Sequence, residues 1–339
     1  MKILVLNSGS SSVKFQVIET DMDRMESESD QTLAVGLVEK IGLSDSRLVL
    51  DVPDRSTYQD YREILEHRTA IEWVLRILVD TEVGIIESVD EIEAVGHRVV
   101  HGGEAFASSV LITPEVVQSI EECSALAPLH NPPNLRGYHA AFAAMPDVPH
   151  VAVFDTAFHA SNPGVARRYA IPAKYDAAGL RRYGFHGISY ASLVAALKPD
   201  LPARLLAFHL GNGASICAIR NGASVATTMG YSPLDGLTMG TRSGALDPAL
   251  VLRLARELGV DAVEAMLNGE AGLKALAGEN DMATLLARDD DAARFAVAHF
   301  CYWAARHAGS LVTARGGLDA IAFTGGIGEN APDIRDRIC

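Results

Sequence analysis

Two short segments of the chain combine Gly, Ser and Asn in a pattern suited to binding a phosphate group. Residues 7–12 follow a mainly apolar strand at 3–6, and residues 211–215 follow one at 205–210, so each segment predicts the turn of a tight β-hairpin. Glycine lets the backbone approach a ligand closely, and successive N–H groups in a turn form a concave site for an anion. A single turn of this kind is commonly a solvated hairpin. Two of them, one near the start of each half, predict a duplicated fold that closes on one phosphate chain.

A third glycine-rich turn, residues 324–330, follows the apolar run 321–323. We expect it to lead into a helix that begins at Asn330 with Pro332 in its first turn, because the free N–H groups of a helix N-terminus bind anions. A strand-to-helix glycine turn is usually structural, so this segment alone indicates little. The sequence contains no G-x-x-x-x-G-K-[ST] motif and no complete G-x-G-x-x-G motif, which argues against a P-loop protein and a dinucleotide-binding Rossmann domain.

Four ionisable residues lie at predicted strand ends or between glycines, where binding sites are usually built: Arg98, Asp155, His186 and Arg242. Taken singly, each has a more ordinary interpretation, as a surface charge, a cap or a hydrogen-bonded structural histidine. Their shared context in glycine-flanked clusters favours a functional role. Guanidinium groups bind carboxylate and phosphate oxygens as two-pronged donors, so the two arginines suit chemistry on an anion.

Other classes of site fit less well. A Ser–His–Asp hydrolase is compatible with the composition, but the chain has no G-x-S-x-G motif. His130, His186 and His209 are too scattered along the sequence for a zinc motif. These patterns favour an anion-binding site over a Ser–His–Asp hydrolase site or a zinc site.

Composition narrows the class of protein further. The chain has 339 residues, of which 48% are apolar and 21% charged, and its formal net charge is -14, which argues against a nucleic-acid or anionic-membrane binder. No apolar run approaches the roughly 18 residues that a membrane-spanning helix needs. The four cysteines, Cys123, Cys217, Cys301 and Cys339, are widely spaced, which indicates thiols of a reducing compartment. We therefore predict a soluble, cytoplasmic protein.

Strands and helices alternate along the chain, which predicts an α/β architecture that positions these residues. Proline is frequent between 132 and 149, at Pro132, Pro133, Pro146 and Pro149, and we expect these residues to interrupt the chain. The predicted domains are residues 1–148 and 149–339.

The sequence also predicts individual elements. They are a solvated loop over 21–30, helices over 69–80 and 291–314, a buried strand over 93–100, a helix capped by Thr113, a helix from Asp247 to Gly259, and a capping box from Asp261 to Glu264.

Eight blocks lie in order along almost the whole chain: ILVLNSGSSSVK (3–14), GHRVVHGG (96–103), APLHNPPN (127–134), FDTAFH (154–159), RYGFHG (182–187), AFHLGNGASICA (207–218), MGTRSG (239–244) and FTGGIGEN (323–330). Together they resemble the sequence blocks of the acetate kinase family. The resemblance implies a duplicated ribonuclease-H-like fold, shared with actin, Hsp70 and sugar kinases, with the active site in the cleft between two domains. It also implies a homodimer.

The same resemblance implies reversible transfer of the γ-phosphoryl group of ATP to acetate, with Mg²⁺, or Mn²⁺ as an alternative ion. Asp155, Arg98, Arg242 and His186 would be catalytic, and His186 and Arg242 would stabilise the transition state. Arg98, Val100, Leu129 and Pro233 would bind the carboxylate substrate, and Asn7 would bind metal. The nucleotide and its phosphates would contact Ser10, Ser12, Lys14, His209, Leu210, Gly211, Asn212, Gly213, Asp281, Met282, Ala283, Gly326, Ile327, Gly328 and Asn330.

The sequence departs from the family pattern in two places. Ala283 stands where the family typically has an arginine that packs on the nucleotide base, and family members continue past residue 339 with a segment whose glutamate lies near Mg²⁺. We therefore expect this 339-residue form to bind ATP but to have weak activity. A propionate kinase, or a catalytically impaired nucleotide-binding homologue, remains an alternative to an acetate kinase.

Overall fold

The computed structural model describes residues 1–27 and 29–339. The chain divides into two compact units, Met1–Ala157 and Phe158–Cys339. The boundary lies beyond the one predicted after residue 148, because the strand over 150–154 pairs with the strand over 92–99 in the sheet of the first unit. Within the described residues, no helix has the length and the apolar character that are needed to cross a membrane.

The first unit is built on an eight-stranded mixed sheet with the order β5-β4-β3-β2-β1-β6-β8-β7. Its strands are β1 Lys2–Ser8, β2 Ser12–Glu19, β3 Gln31–Glu39, β4 Leu43–Asp51, β5 Tyr58–Ile64, β6 Ile92–Val99, β7 Val110–Leu111 and β8 His150–Phe154. Its helices are α1 Met22–Glu26, α2 His67–Leu78, α3 Pro114–Glu122 and α4 Asn131–Ala144, with 3₁₀ turns at Val89–Glu91 and Cys123–Ala125.

The second unit has a four-stranded sheet with the order β11-β10-β9-β12. Its strands are β9 Arg204–Leu210, β10 Ala214–Arg220, β11 Ala223–Thr227 and β12 Ala320–Thr324. Its helices are α5 Gly164–Arg167, α6 Ala173–Ala177, α7 Gly187–Ala196, α8 Pro248–Leu258, α9 Val260–Gly269, α10 Gly272–Ala277, α11 Met282–Ala287, α12 Asp291–Arg315, α13 Gly325–Asn330 and α14 Pro332–Ile338, and a 3₁₀ turn covers Ala157–Ser161.

The two sheets repeat the same local topology. In the first unit β3, β2 and β1 are antiparallel neighbours, and β6 runs parallel to β1. In the second unit β11, β10 and β9 are antiparallel neighbours, and β12 runs parallel to β9. The two predicted phosphate turns connect corresponding strands, β1 to β2 and β9 to β10. This repetition confirms the duplicated α/β fold that the two turns predicted.

Alternating burial explains why the hairpin strands form where they do. Leu4 and Leu6 of β1, and Val13, Phe15 and Val17 of β2, are buried on one face of the sheet, as the period of two for a strand requires. The helix α2 covers this face with residues at helical spacing, among them Ile71, Val74, Leu75 and Leu78. These apolar residues form the core on this face of the sheet. Polar side chains lie instead at the carboxyl ends of β1 and β6, where Asn7 and Arg98 are found.

Several local expectations need correction. Pro132 and Pro133 do not interrupt the chain; they lie in the first turn of α4, where a missing backbone N–H costs nothing. Asp261 makes no capping box, because it already lies within the first turn of α9. The third glycine turn is itself helical: α13 begins at Gly325, and Pro332 lies in the first turn of a separate helix, α14. Within the expected loop at 21–30, the residues Met22–Glu26 form the short helix α1.

Candidate functional site

In the first unit, Arg98 is held rigidly at the end of β6 by Asp155, which follows the neighbouring strand β8. The Nε of Arg98 donates to Asp155 Oδ1 at 3.1 Å, and Nη2 donates to Oδ2 at 2.5 Å. The Asp155 side chain is 3% exposed, whereas that of Arg98 is 34% exposed. The carboxylate of Asp155 raises the pKa of Arg98. A buried carboxylate thus fixes a guanidinium that is still one-third accessible to a ligand.

The register of the sheet places two further predicted residues beside Arg98. Asn7, at the end of β1, accepts a hydrogen bond from Arg98 Nη1 at 3.2 Å through its Oδ1. Lys14 of β2 is the cross-strand partner of Asn7, and its side chain is exposed. Directly opposite residues project from the same face of a sheet, so Lys14, Asn7 and Arg98 lie side by side on one face. This row carries two positive charges in a protein whose formal net charge is -14.

The first phosphate turn is compact and has a support that the sequence did not reveal. The Gly9 N–H donates to the Ser12 carbonyl at 2.8 Å, and Ser10 at the tip is exposed. The buried His67, at the start of α2, hydrogen-bonds through Nε2 to the Gly9 carbonyl at 2.6 Å. Burial lowers the pKa of His67, which keeps its ring neutral. The helix α2 therefore anchors the turn directly.

Two asparagines of α4 hold the chain segment that follows Arg98. The Val100 N–H donates to Asn134 Oδ1 at 3.0 Å, and Asn134 Nδ2 donates to the Ser8 carbonyl at 2.7 Å. Asn131 accepts from the His101 N–H at 3.1 Å. Neither asparagine was singled out from the sequence, although both belong to the block APLHNPPN. Of the predicted apolar substrate contacts in this unit, Val100 is buried and Leu129 is 53% exposed.

In the second unit, three predicted residues gather around the second phosphate turn. An ideal Cβ built on Gly213 would lie 2.6 Å from Arg242 Nη2 and 3.3 Å from His186 Nε2, so both donors flank the glycine backbone. The rings of His186 and His209 are 4.2 Å apart between centroids. Arg242 Nη1 donates to the Pro233 carbonyl at 2.7 Å, which brings the predicted substrate contact Pro233 next to the same arginine.

The second turn also borders a cavity with a volume of about 400 Å³, within the second unit. Asn212 lies at its wall; its carbonyl accepts from the Gly240 N–H at 2.9 Å, and its Oδ1 accepts from Asn280 at 3.2 Å. Eight predicted nucleotide residues line the cavity: Gly211, Asn212, Asp281, Met282, Ala283, Gly326, Ile327 and Asn330. Sequence reasoning missed three others that line it: Asn280, Leu286 and Ala331.

Four predicted nucleotide residues of the second unit, His209, Leu210, Gly213 and Gly328, lie outside the cavity lining. His209 contacts the ring of His186. Gly213 faces Arg242 and His186, as described above. Leu210 and Gly328 are buried, and a Cβ added to Gly328 would lie 3.7 Å from Leu210 Cβ, so these two pack β9 against α13. Asp281 lines the cavity and also caps α11, since its carboxylate accepts from the Thr284 N–H at 2.8 Å.

Metal-binding chemistry is sparse in the part of the chain that the structure describes. No group of three or more His, Cys, Asp or Glu side chains there could hold a metal ion. The predicted metal contact Asn7 offers one amide oxygen, which already accepts from Arg98. The described site is therefore dominated by donors that suit an anion.

Comparison with known proteins agrees with this picture. A duplicated α/β unit, with a glycine turn between corresponding strands of each sheet, defines a protein of the ribonuclease-H-like fold class. The chain belongs to the acetokinase family, whose model matches residues 2–339.

Relatives and solved structures support the same assignment. The chain is 43% identical over 350 residues to the acetate kinase of Carboxydothermus hydrogenoformans, and 47% identical over 360 residues to that of Solibacter usitatus. Each match covers 100% of this chain and 86% of the relative. The crystal structure of Porphyromonas gingivalis acetate kinase matches with a TM-score of 0.91 at 40% identity, over 100% of this chain and 86% of that one. A propionate kinase from Francisella tularensis matches with a TM-score of 0.91 at 39% identity, over 99% and 86%.

Proposed function

We propose that this chain catalyses the reversible transfer of the γ-phosphoryl group of ATP to acetate, which gives acetyl phosphate and ADP. The observation that carries the proposal is the position of Arg242 and His186 beside the Gly213 backbone. Phosphoryl transfer requires in-line positioning and neutralisation of charge on the equatorial oxygens, with little covalent chemistry from the protein. Two donors that flank a glycine turn next to a nucleotide-sized cavity supply both requirements.

The nucleotide would occupy the cavity of the second unit. Its volume of about 400 Å³ lies within the range of small-molecule sites. The wall contributed by Ala283 and Leu286 is apolar and suits a purine ring, whereas Asn212 offers polar contacts. The helix α13 begins at Gly325, and its second residue, Gly326, lines the cavity. The backbone N–H groups at this end of the helix would attract an anion.

Arg98 would bind the carboxylate of acetate. Its Nε and Nη2 are occupied by Asp155, and the exposed third of the side chain remains for the substrate. One acetate oxygen then attacks the γ-phosphorus while the bond to the β-phosphate bridging oxygen breaks and ADP leaves. Arg242 and His186 would neutralise the transferring group, and Val100, Leu129 and Pro233 would contact the methyl group.

Mg²⁺ is a further part of the proposal. In nucleotide sites the ion is held mainly by phosphate oxygens, water and one or two carboxylates, so a complete protein cage is not needed. The oxygens of Asn7 and Asp155 both accept hydrogen bonds from Arg98, and each oxygen has a second lone pair that would contact the water shell of the ion. When bound, the ion would offset charge on the β- and γ-phosphates. Chelation by EDTA should abolish transfer, and added Mg²⁺ or Mn²⁺ should restore it.

Acetate is favoured over propionate because the curated relatives named above are acetate kinases. The apolar residues proposed for the methyl group discriminate one methylene by only about 1–3 kcal/mol, so propionate should be a poorer substrate and butyrate poorer still. Measurement of acyl hydroxamate from all three acids tests this order. A higher kcat/KM for propionate would reverse the assignment.

We also propose a homodimer in the cytoplasm. Cysteines at three buried positions, Cys123, Cys217 and Cys301, form no disulfide in the described structure, which agrees with a reducing compartment. The helix α8 buries none of its residues and exposes Leu250, Leu252 and Leu258, which suits contact with a second copy. Light scattering at several protein concentrations tests the dimer, and Leu252→Glu should weaken it. An unchanged mass for this variant would exclude α8 from the interface.

The central experiment combines activity with binding. Purified protein, ATP, Mg²⁺ and acetate should yield acetyl phosphate, detected as its hydroxamate, and ADP in equal amounts. ATP binding by calorimetry without product would instead indicate a catalytically impaired nucleotide-binding homologue. Absence of both binding and product would reject the proposed function.

A further inference from the structure

A chain of buried hydroxyl groups lies behind His186 in the second unit. The Tyr190 hydroxyl is 2.6 Å from Ser215 Oγ, and Ser215 Oγ is 2.9 Å from His186 Nδ1. Tyr190 and Ser215 are both 0% exposed. Neither residue can reach a ligand, and the proposed reaction does not use them. Their contact with His186 therefore concerns how this ring is held.

The backbone at His186 supports a specialised geometry. Its φ angle is 59°, in the left-handed region, and it occupies the N-cap position of α7. Non-glycine residues are uncommon in this region, and such conformations concentrate at functional sites. Tyr190 lies one turn further along α7, and its N–H donates to the His186 carbonyl at 3.1 Å. The helix thus places both the ring and its supporting phenol.

The hydrogen atoms along Tyr190, Ser215 and His186 can be arranged in two directions. In the first, the phenol donates to Ser215 Oγ, the Ser215 hydroxyl donates to His186 Nδ1, and the ring proton of neutral His186 lies on Nε2. In the second, His186 Nδ1–H donates to Ser215, whose hydroxyl donates to the phenol oxygen. A phenol is more acidic than an aliphatic hydroxyl and is the stronger donor. Burial raises the pKa of Tyr190 well above its usual value, so its proton is retained. The phenol therefore has a proton to donate, and its greater donor strength favours the first direction.

We propose that Tyr190 and Ser215 form a hydroxyl relay that fixes neutral His186 with its proton on Nε2. His186 Nε2 lies beside the turn, 3.3 Å from an ideal Cβ built on Gly213. Arg242 Nη2 lies 2.6 Å from the same Cβ position. A proton on Nε2 makes His186 a donor toward an anion, whereas the other tautomer would present a lone pair and repel it. Tyr190 and Ser215 are positioning residues, because they act on the ligand only through His186.

The catalytic consequence depends on the proposed phosphoryl transfer, but the tautomer does not. The first test is therefore nitrogen NMR of the ligand-free protein labelled with ¹⁵N in its histidine rings, at a pH well above the usual titration range of histidine. The His186 resonances are assigned from a His186→Gln spectrum. We expect Nε2 at the position of a protonated ring nitrogen and Nδ1 at that of an unprotonated one. The reverse pattern in the parent protein would overturn the relay, whatever the variants do.

The second test removes the phenol donor. In Tyr190→Phe the ring remains, but Ser215 loses its donor, so His186 should shift toward the Nδ1–H tautomer. An unchanged tautomer in this variant would reject the role of Tyr190. The matched control is Ser189→Ala, because Ser189 Oγ is 2.9 Å from Nδ1 of the neighbouring His209 and contacts the other imidazole. Ser189→Ala should leave the ¹⁵N resonances of His186 unchanged. If these resonances shift as much in Ser189→Ala as in Tyr190→Phe, the result would also count against the relay.

Kinetics link the tautomer to the reaction. Tyr190→Phe should lower kcat about ten-fold, the loss expected for one hydrogen bond to a charged group, with little change in the KM for ATP. Tyr183→Phe is the matched control, since Tyr183 is also buried and its hydroxyl donates to the Gly179 carbonyl at 2.8 Å. An equal loss of kcat in both variants would show a general effect of hydroxyl removal and reject the relay. A correct tautomer in a parent protein without kinase activity would reject the proposed function and retain the relay.

Discussion

Arg98 and Asp155 form a two-pronged ion pair in which the carboxylate is buried and the guanidinium is partly open. The distance between Arg98 Nη2 and Asp155 Oδ2 is 2.5 Å. The Arg98 side chain is 34% exposed, and the Asp155 side chain is 3% exposed. An ion pair on the surface contributes little to folding stability. A buried carboxylate, in contrast, needs a partner charge, because its own charge is not stabilised by solvent. Asp155 thus fixes the orientation of Arg98, and its own burial requires the guanidinium in return.

Removal of either proposed donor should damage catalysis far more than removal of an ordinary arginine. Arg98→Ala and Arg242→Ala should each lower kcat/KM for acetate by more than about 100-fold, since each removes a donor to the reacting groups. Arg253→Ala is the matched control, because the Arg253 side chain is 75% exposed and pairs only with Glu257 in α8 among the described contacts. Hydroxamate assays within a few-fold of the parent for both site variants would refute their roles.

The buried pair His97 and His150 should make the first unit sensitive to acid. His97 Nε2 lies 2.8 Å from His150 Nδ1, and His150 Nε2 lies 3.0 Å from the Met145 carbonyl. Burial lowers the pKa of His97 to about 3, whereas the unfolded value is 6.5. Between these values the unfolded chain binds a proton that the folded chain excludes. The free energy of unfolding should therefore fall as the pH falls from 6.5 toward about 3, by up to about 1.4 kcal/mol per pH unit for this histidine.

Urea unfolding at several pH values measures this effect. The chain has two tryptophans, and Trp303→Phe leaves the buried Trp73 as a fluorescent reporter of the first unit. His97→Phe should reduce the loss of stability in acid relative to the parent, since it removes the excluded proton. His139→Phe serves as the control because His139 is exposed beside the same cluster. Equal acid slopes for parent, control and His97→Phe would contradict the prediction.

The features that the sequence predicted are those set by local chemistry. Alternating apolar residues and Gly-Ser-Asn turns determine both hairpins, and Asp247 with Pro248 determines the start of α8. Contacts between distant residues could not be predicted in this way. The bond of His67 to Gly9 joins residues 58 positions apart, and that of Asn134 to Ser8 joins residues 126 apart.

Local propensity also failed where packing overrides it. The segment GGIGEN has glycines that disfavour a helix, yet α13 forms there. Gly325 begins it with φ of 80°, packed so that an added Cβ would lie 2.7 Å from the Leu210 carbonyl oxygen. The sheet position of β12 beside β9 therefore decides this conformation, and a local pattern could not show it.

Gly213 should be intolerant of even one methyl group. A Cβ at this residue would approach Arg242 Nη2 to 2.6 Å, so the guanidinium must move away from the turn. Gly213→Ala should lower kcat by about ten-fold or more, because displacement of a positioned donor by about 1 Å is costly. Gly269→Ala in α9 is the control, since an added Cβ there would have no described atom within 4 Å apart from the adjacent backbone of its own helix. Parent-like kcat for Gly213→Ala would place the reacting phosphate elsewhere.

Ala283 should limit the affinity for the nucleotide base. It is an exposed residue of α11 at the cavity wall, where the family resemblance predicts an arginine. A guanidinium stacked on a purine contributes roughly 0.5–2 kcal/mol, so Ala283→Arg should lower the Kd and KM for ATP about two- to thirty-fold and leave the KM for acetate nearly unchanged. Ala287→Arg adds the same charge to the exposed end of α11 outside the cavity lining and serves as the control. Calorimetry that shows equal ATP affinity for both variants would mean that charge alone, and not stacking at residue 283, determines binding.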